Sequence, residues 1–424
     1  MRAAPKSAPA STKRKTQAGE TRDYKFLTYV FGGGVKVREH EKYADPTTPV
    51  RVASVRGQLR FWWRACNPRR CSTLEELRQW EGKIWGTTSQ ASEVEISVVS
   101  QPGPARSIAV YQYNEKKRLV VCPGMTEIAY GAFPLQPSRE EQKKRAQPGV
   151  LFDYGNAIFS LRFVYPLDYQ RDVHAALWAW ESFGGLGGRT RRGFGAIARA
   201  REQASSSVEQ ELSKVRDHPR IPGVPSLHHA QFVVSRRNNE NAIDAWKSGL
   251  RLLQQLRQGR GFGRNDPPKD SKKPAGRSLW PEPDEIRKLT GQSAPAHGQP
   301  VVSVSSFPRG RFGMPIVFHF HPGSADEPGS SGDPAMKPLQ LQPLGFERFA
   351  SPLILRPVLV DTKYYAAALV LSSDHPAAEL LAGQARHAVK IALDPYEAQT
   401  IKPLKRNGKV FTNPIDLYLW ELAK

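Results

Sequence analysis

Cysteine is scarce in this sequence. Only Cys66, Cys71 and Cys122 occur in 424 residues. So small and odd a number builds no disulfide framework and suits a reducing cytosol. Cys66 and Cys71 have no second pair at zinc-ligand spacing, so no metal is expected. No apolar run approaches the roughly 18 residues of a spanning helix, and residues 1–20 lack the apolar core of a secretory signal. Acidic residues are also few. Against 62 lysines and arginines stand 40 acids, a net charge of +22, with a pI near 10.0. That surplus points to nucleic acid or an anionic membrane surface, and no helical pattern is apolar enough on one face to favour the membrane. The Lys-Ser/Thr of a P-loop is missing and the Rossmann glycine spacing is not met, so no nucleotide cofactor is expected.

Glycine and arginine are concentrated in one place. Residues 183–195 read Phe-Gly-Gly-Leu-Gly-Gly-Arg-Thr-Arg-Arg-Gly-Phe-Gly, six glycines and three arginines in thirteen positions. Glycine allows close backbone approach, consecutive amides form anion nests, and the guanidinium fork suits phosphate. The pattern predicts a loop that wraps a polyanion backbone. Arg189, Arg191 and Arg192 are assigned to phosphates. Gly184, Gly185, Gly187, Gly188 and Gly193 would admit the ligand backbone. Phe194 is placed on a base or in the core. The alternative is a plain basic surface turn.

A second basic feature precedes it. At 100° per residue, Val55, Leu59, Trp62, Trp63 and Cys66 form one apolar stripe of a helix over residues 55–66. Arg56, Arg60 and Arg64 form the adjacent ridge, and residues 49–70 hold six arginines and no acid. Like charges at i,i+4 cost a few tenths of a kcal/mol per pair. Left unrelieved, that cost implies a polyanionic partner.

The fold class expected is α+β, two ferredoxin-like domains in tandem with long polar insertions. Strands at 24–31, 93–99, 156–165 and 194–200 alternate with helices at 55–66, 74–85 and 171–183. That is the βαββαβ order shared with RNA-recognition domains. Residues 1–22 read as a disordered basic arm, 23–203 as the N-terminal domain and 204–424 as the second. The latter is expected to hold strands at 230–235, 314–320, 352–360 and 364–371, and helices at 242–257, 376–389 and 413–422. The last starts from Asn413 with Pro414 in its first position. Residues 101–155 read as an aperiodic insertion, and those near 259–300 and 322–338 as disordered ones.

Several of these stretches resemble a known family. Residues 54–64, Ser-Val-Arg-Gly-Gln-Leu-Arg-Phe-Trp-Trp-Arg, resemble the "RG-x-LR-x-WWR" signature of the RAMP superfamily, in the two-domain form found in type III-B CRISPR Cmr complexes. Residues 184–195 are similar to its glycine-rich loop, residues 81–86 to its Glu-x-x-x-aromatic-Gly, and residues 348–353 to the R-x-A-S-P-L of its second domain. The resemblance implies a non-catalytic subunit near the 3′ end of crRNA, in contact with guide and target RNA. Its partners would be other RAMP subunits of a cytoplasmic antiviral ribonucleoprotein. The rival expectation is a metal-independent RAMP endoribonuclease with a histidine general base. His174 is the first candidate and His40 the second. His319 and His321 share a strand face and form the remaining imidazole pair.

Overall fold

Polar residues open the first sheet. The computed structural model describes residues 16–32, 48–200, 212–213, 217–265, 276–320 and 332–424. Strand β1 is Gln17–Phe26, earlier than its aromatic residues suggest. Residues 17–22 therefore belong to the sheet rather than to a disordered arm; residues 1–15 of that arm lie outside the described residues. The charges on β1 are satisfied where they stand. Arg22 Nε donates to Glu20 Oε2 at 2.7 Å, and Arg22 Nη1 to Glu181 Oε1 at 3.0 Å.

Helix α1 is Val52–Cys66 and α2 is Leu74–Trp85, followed by β2, Glu95–Ser100. The Thr73 hydroxyl accepts from Glu76 N–H at 3.1 Å and starts α2. Residues 101–155, expected to be aperiodic, are built into two antiparallel ladders. They contain β3 (Arg106–Ala109), β4 (Tyr111–Tyr113), β5 (Leu119–Val121), α3 (Thr126–Gly131), α4 (Arg139–Lys143) and β6 (Val150–Asp153). Then come β7 (Ile158–Pro166), α5 (Gln170–Phe183) and the short β8 (Ile197–Arg199). The first sheet has the antiparallel order β2-β7-β1-β8. Phe159, Leu161 and Phe163 alternate inward on β7 and share a core with Trp62 and Trp63 of α1 and Trp180 of α5.

The C-terminal half starts with β9, Ser226–Asn239, and α6, Ala242–Gln258. Asn241 Oδ1 accepts from Asp244 N–H at 2.9 Å and caps α6. Helix α7 is Glu282–Thr290, β10 Ile316–Val317, β11 Leu339–Pro343, β12 Leu353–Val360 and β13 Lys363–Ser372. β14 (Ala378–Ala382), β15 (Ala385–Val389), α8 (Pro395–Thr400) and α9 (Pro414–Leu422) complete it. One sheet is ordered β12-β13-β9 and another β10-β11-β14-β15.

Three expectations change here. Residues 376–389 are a hairpin, not a helix. Ala382 pairs with Ala385 around Gly383 at φ 62°, and β14 also pairs with β11; sheet pairing overrides the helix propensity of alanine and leucine. Residues 276–300 are ordered around α7, whose buried Arg287 binds Asp284 Oδ1 at 2.9 Å and Asp333 Oδ1 at 2.8 Å. The strand expected at 314–320 shrinks to Ile316–Val317. Residues 259–265 and 332–338 of those insertions are likewise placed, with an Arg260–Arg264 bridge and Asp333 bound to Arg287, while residues 266–275 and 321–331 lie outside the described residues.

A second hydrophobic core joins the halves. Phe31, Tyr111, Ile128 and Phe194 pack there with Trp246, Leu250, Leu355 and Tyr418.

Candidate nucleic-acid interface

The loop after α5 is folded onto protein along most of its length. Leu186 N–H bonds to the Gly195 carbonyl at 2.9 Å and Gly188 N–H to the Phe31 carbonyl at 2.7 Å. Gly195 sits at φ +60°, and a side chain there would run into the Leu186 carbonyl. At Gly184 a Cβ would stand 2.8 Å from Trp62 Nε1. Gly184, Gly185 and Gly193 are thus buried packing positions, not points of ligand approach. Phe194 is fully buried, edge-on to Trp246 at 4.7 Å and to Phe31 at 5.7 Å. It is a core residue and offers no face to a base. Gly187 is exposed and Gly188 half-buried.

The loop's arginines reach across to the C-terminal half. Arg191 donates to the Ser351 carbonyl, within the Arg-x-Ala-Ser-Pro-Leu stretch, and its guanidinium lies 5.2 Å over the Phe61 ring of α1. Arg192 Nη2 donates to the Phe312 carbonyl at 3.3 Å, while its own carbonyl accepts from Trp246 Nε1 at 2.7 Å. The Nη1 of Arg192 is buried without a partner. Burial pushes both guanidiniums down to about 10, which leaves them cationic at neutral pH. Arg189 adopts φ 57° and stacks 4.8 Å from Phe133.

The ridge on α1 is partly neutralised from within. Glu81 of α2, nearly buried, accepts from Arg60 Nε at 2.6 Å and also from Arg64 Nη1. Arg60 Nη1 donates to the Gly86 carbonyl at 3.3 Å. The repulsion expected to go unrelieved is therefore relieved by the Glu-x-x-x-Trp-Gly stretch that follows. One carboxylate for two guanidiniums leaves the face positive. Arg56 is half-buried, with its Nε lacking a hydrogen-bond partner.

α1 and the loop meet at a cavity of about 290 Å³, lined by Arg51, Ser54, Gly57, Gln58, Gly187 and Gly188 among others. The first intrahelical bond of α1 runs from Val55 N–H to the Arg51 carbonyl at 3.0 Å, so the amides of residues 52–54 precede the ladder. The cap position, Arg51, makes no side-chain cap bond, and the first turn carries no acid. Such a helix start favours an anion. Phe61 follows Gly57 and Gln58 by one helical turn, so the surface continues from the cavity to Arg191. Arg51, Gly57, Gln58 and Phe61 were not singled out by composition. They lie inside the arginine-rich stretch, and all but Arg51 inside the family-like signature, but only their nearness to the loop, across a long sequence gap, assigns them to the site.

Comparison with known proteins fits this geometry. The family model of the RAMP superfamily matches residues 23–198. A curated relative, CRISPR system Cmr subunit Cmr1-1 of Pyrococcus furiosus, is 27% identical over 167 residues, 38% of this chain. The match spans 44% of that relative's length. The chain is also similar to the solved apo Cmr1 of Pyrococcus furiosus, with a TM-score of 0.48 and 16% identity, over 85% of this chain and 89% of that one. It is similar to a chain of a Type III-B Cmr-beta complex bound to cognate target RNA, at TM-score 0.44 and 12% identity, covering 94% and 99% of the two chains.

Within the matched region, His174 lies near the start of α5. Nine residues of helix, about 14 Å, separate it from Phe183. Its Nε2 is 2.9 Å from the Tyr165 hydroxyl and 3.1 Å from Glu20 Oε1. The structure therefore does not bring His174 to the loop arginines. His319 is exposed, and His40 and His321 lie outside the described residues. Among the described residues no group of three or more His, Cys, Asp or Glu side chains could hold a metal, and no helix is long and apolar enough to cross a membrane.

Proposed function

We propose that this protein is a non-catalytic, RNA-binding subunit of a type III-B Cmr ribonucleoprotein. It contacts crRNA near its 3′ end and the paired target RNA, alongside other RAMP subunits in the cytoplasm. The observation that carries the reading is the joining of α1 to the glycine-rich loop. Helix amides that precede the ladder, exposed Gly187 and half-buried Gly188 line one cavity, and the cationic Arg191 stacks on Phe61 one turn further along α1. Phosphates need such a surface, and it reads backbone rather than base. The order β2-β7-β1-β8 supports a ferredoxin-like N-terminal domain over about 23–203. The order β12-β13-β9 supports a second, three-stranded version within 204–424.

The test is RNA affinity measured over a salt series. Arg191→Ala with Arg192→Ala should lower the slope of log affinity against log salt by about 0.7 per arginine. Unchanged affinity and slope would remove the loop from the interface. Incubating the protein with labelled crRNA in EDTA tests the rival. Cyclic-phosphate products that disappear in His174→Ala would make it an endoribonuclease instead.

A further inference from the structure

Phe133 is 60% exposed, yet it stands on a turn between fully buried neighbours. A 3-10 turn, Phe133–Leu135, presents it. On either side Ala132 and Leu135 are fully buried. Leu135 N–H bonds to the Ala132 carbonyl at 2.9 Å, and Gly149 N–H to the Leu135 carbonyl at 2.9 Å. The Tyr111 hydroxyl donates to the Ala129 carbonyl at 2.7 Å, just upstream. The backbone beneath the ring is held while most of the side chain meets solvent.

Its neighbours are cations. Arg189 of the glycine-rich loop stacks on the ring at 4.8 Å. Arg192 lies within the field of Arg189 and Arg257, and Arg257 Nη1 donates to the Tyr130 hydroxyl at 3.0 Å. Glu127, the acid nearest in the same segment, is already taken by Arg251 Nε at 2.9 Å. A lone exposed phenylalanine needs no explanation. One on a braced turn, with the Arg189 guanidinium stacked on it and Arg192 close to that arginine, has the make-up of a single-strand nucleic-acid site. In such sites bases stack on aromatic faces while cations hold the phosphates between them. Phe346 and Tyr396 are more exposed, but among the described residues neither carries a stacked guanidinium.

We propose that Phe133 is a base-stacking platform for single-stranded RNA, contributed by the segment between β2 and β7 to the rim of the glycine-rich loop. This rests on the RNA-binding reading above and adds a contact that the arginines cannot supply. Phosphate contacts set the salt dependence, whereas a stacking contact adds affinity without releasing counterions.

The experiment uses the full chain and a short fluorescein-labelled oligouridylate, titrated by anisotropy over a series of KCl concentrations. Phe133→Ala should weaken binding by about 5- to 100-fold with the salt slope unchanged, and Phe133→Trp should keep the parent affinity. Phe133→Leu keeps an apolar cover over Arg189 but loses the π face, and should fall with the alanine variant. A 5-iodouridine version of the probe should crosslink to Phe133. If Phe133→Ala or Phe133→Leu binds as the parent does while Arg191→Ala weakens binding, the stacking role is wrong and the RNA-binding reading stands. If the parent chain fails to bind the probe at low salt, the RNA-binding reading falls and the stacking role with it.

Discussion

Arg356 of β12 reaches into the other half of the protein and donates to the Ile197 carbonyl of β8 at 2.8 Å. It donates to the Glu181 carbonyl as well, at 3.0 Å, so among the described residues this buried cation is held by carbonyl oxygens. Burial pushes its guanidinium down to about 10. Arg356→Met should leave two buried carbonyls unpaired and lower stability by about 3 kcal/mol. Urea denaturation checks this, and an unchanged midpoint would mean water or relaxation replaces the bonds.

Glu81 holds Arg60 and Arg64 at the expense of their positive field. Glu81→Gln should destabilise the fold by about 1–2 kcal/mol, since the carboxylate is buried while its two arginines are only half-buried. The same change should tighten RNA binding at low salt and steepen its salt slope by up to about 0.7. Weaker binding in a folded variant would assign the α1 ridge to structure alone.

Gly57 offers a cleaner separation of folding from binding. It lies inside α1, and a Cβ there meets nothing within 4 Å. Gly57→Ala should therefore stabilise the helix by about 0.5–1 kcal/mol. Gly57 also lines the cavity beside Gly187, so bulkier Gly57→Leu should weaken RNA binding while the protein melts no earlier than the parent. Full affinity in Gly57→Leu would place the phosphates elsewhere.

His375 sets an acid-side stability step. Burial, and then the nearby Arg311, push its imidazole down to about 4, with Asp374 opposing. The folded state thus keeps it neutral where the unfolded chain, at about 6.5, takes up a proton. Its contribution is complete above pH 6.5 and is lost as pH falls from 6.5 toward 4. His375→Gln should flatten the dependence of Tm on pH across that window; an unaltered slope would show that another group governs it.

Periodicity made much of the fold legible. All five residues of the α1 stripe are buried, α2 spans Leu74–Trp85 as its apolar spacing indicates, and Asn413 caps α9 through Ile415 N–H at 3.0 Å. These features are local, and so is the signal. The same logic failed where the deciding contact was distant. Nothing in the α1 ridge announces that Glu81 will sit between Arg60 and Arg64, because helical spacing gives a face and not its neighbour. The run that became β14 and β15 is rich in helix formers, and it becomes sheet through its own hairpin pairing, extended by the distant β11. Glycines at 184, 185 and 193 read as openings for a ligand, yet Trp62 and Trp246 occupy the space beside two of them. Composition shows that side chains are missing, and only the tertiary structure shows what fills the gap.

Phe194 and Trp246 carry a consequence for how the chain can be divided. The family match stops at residue 198, but Phe194 closes against an indole from α6. A fragment ending there keeps its first sheet except Arg199, the last residue of β8, and still exposes an aromatic wall built for someone else's surface. Such a fragment should be sticky when expressed alone and should regain solubility when the remaining chain is supplied in trans.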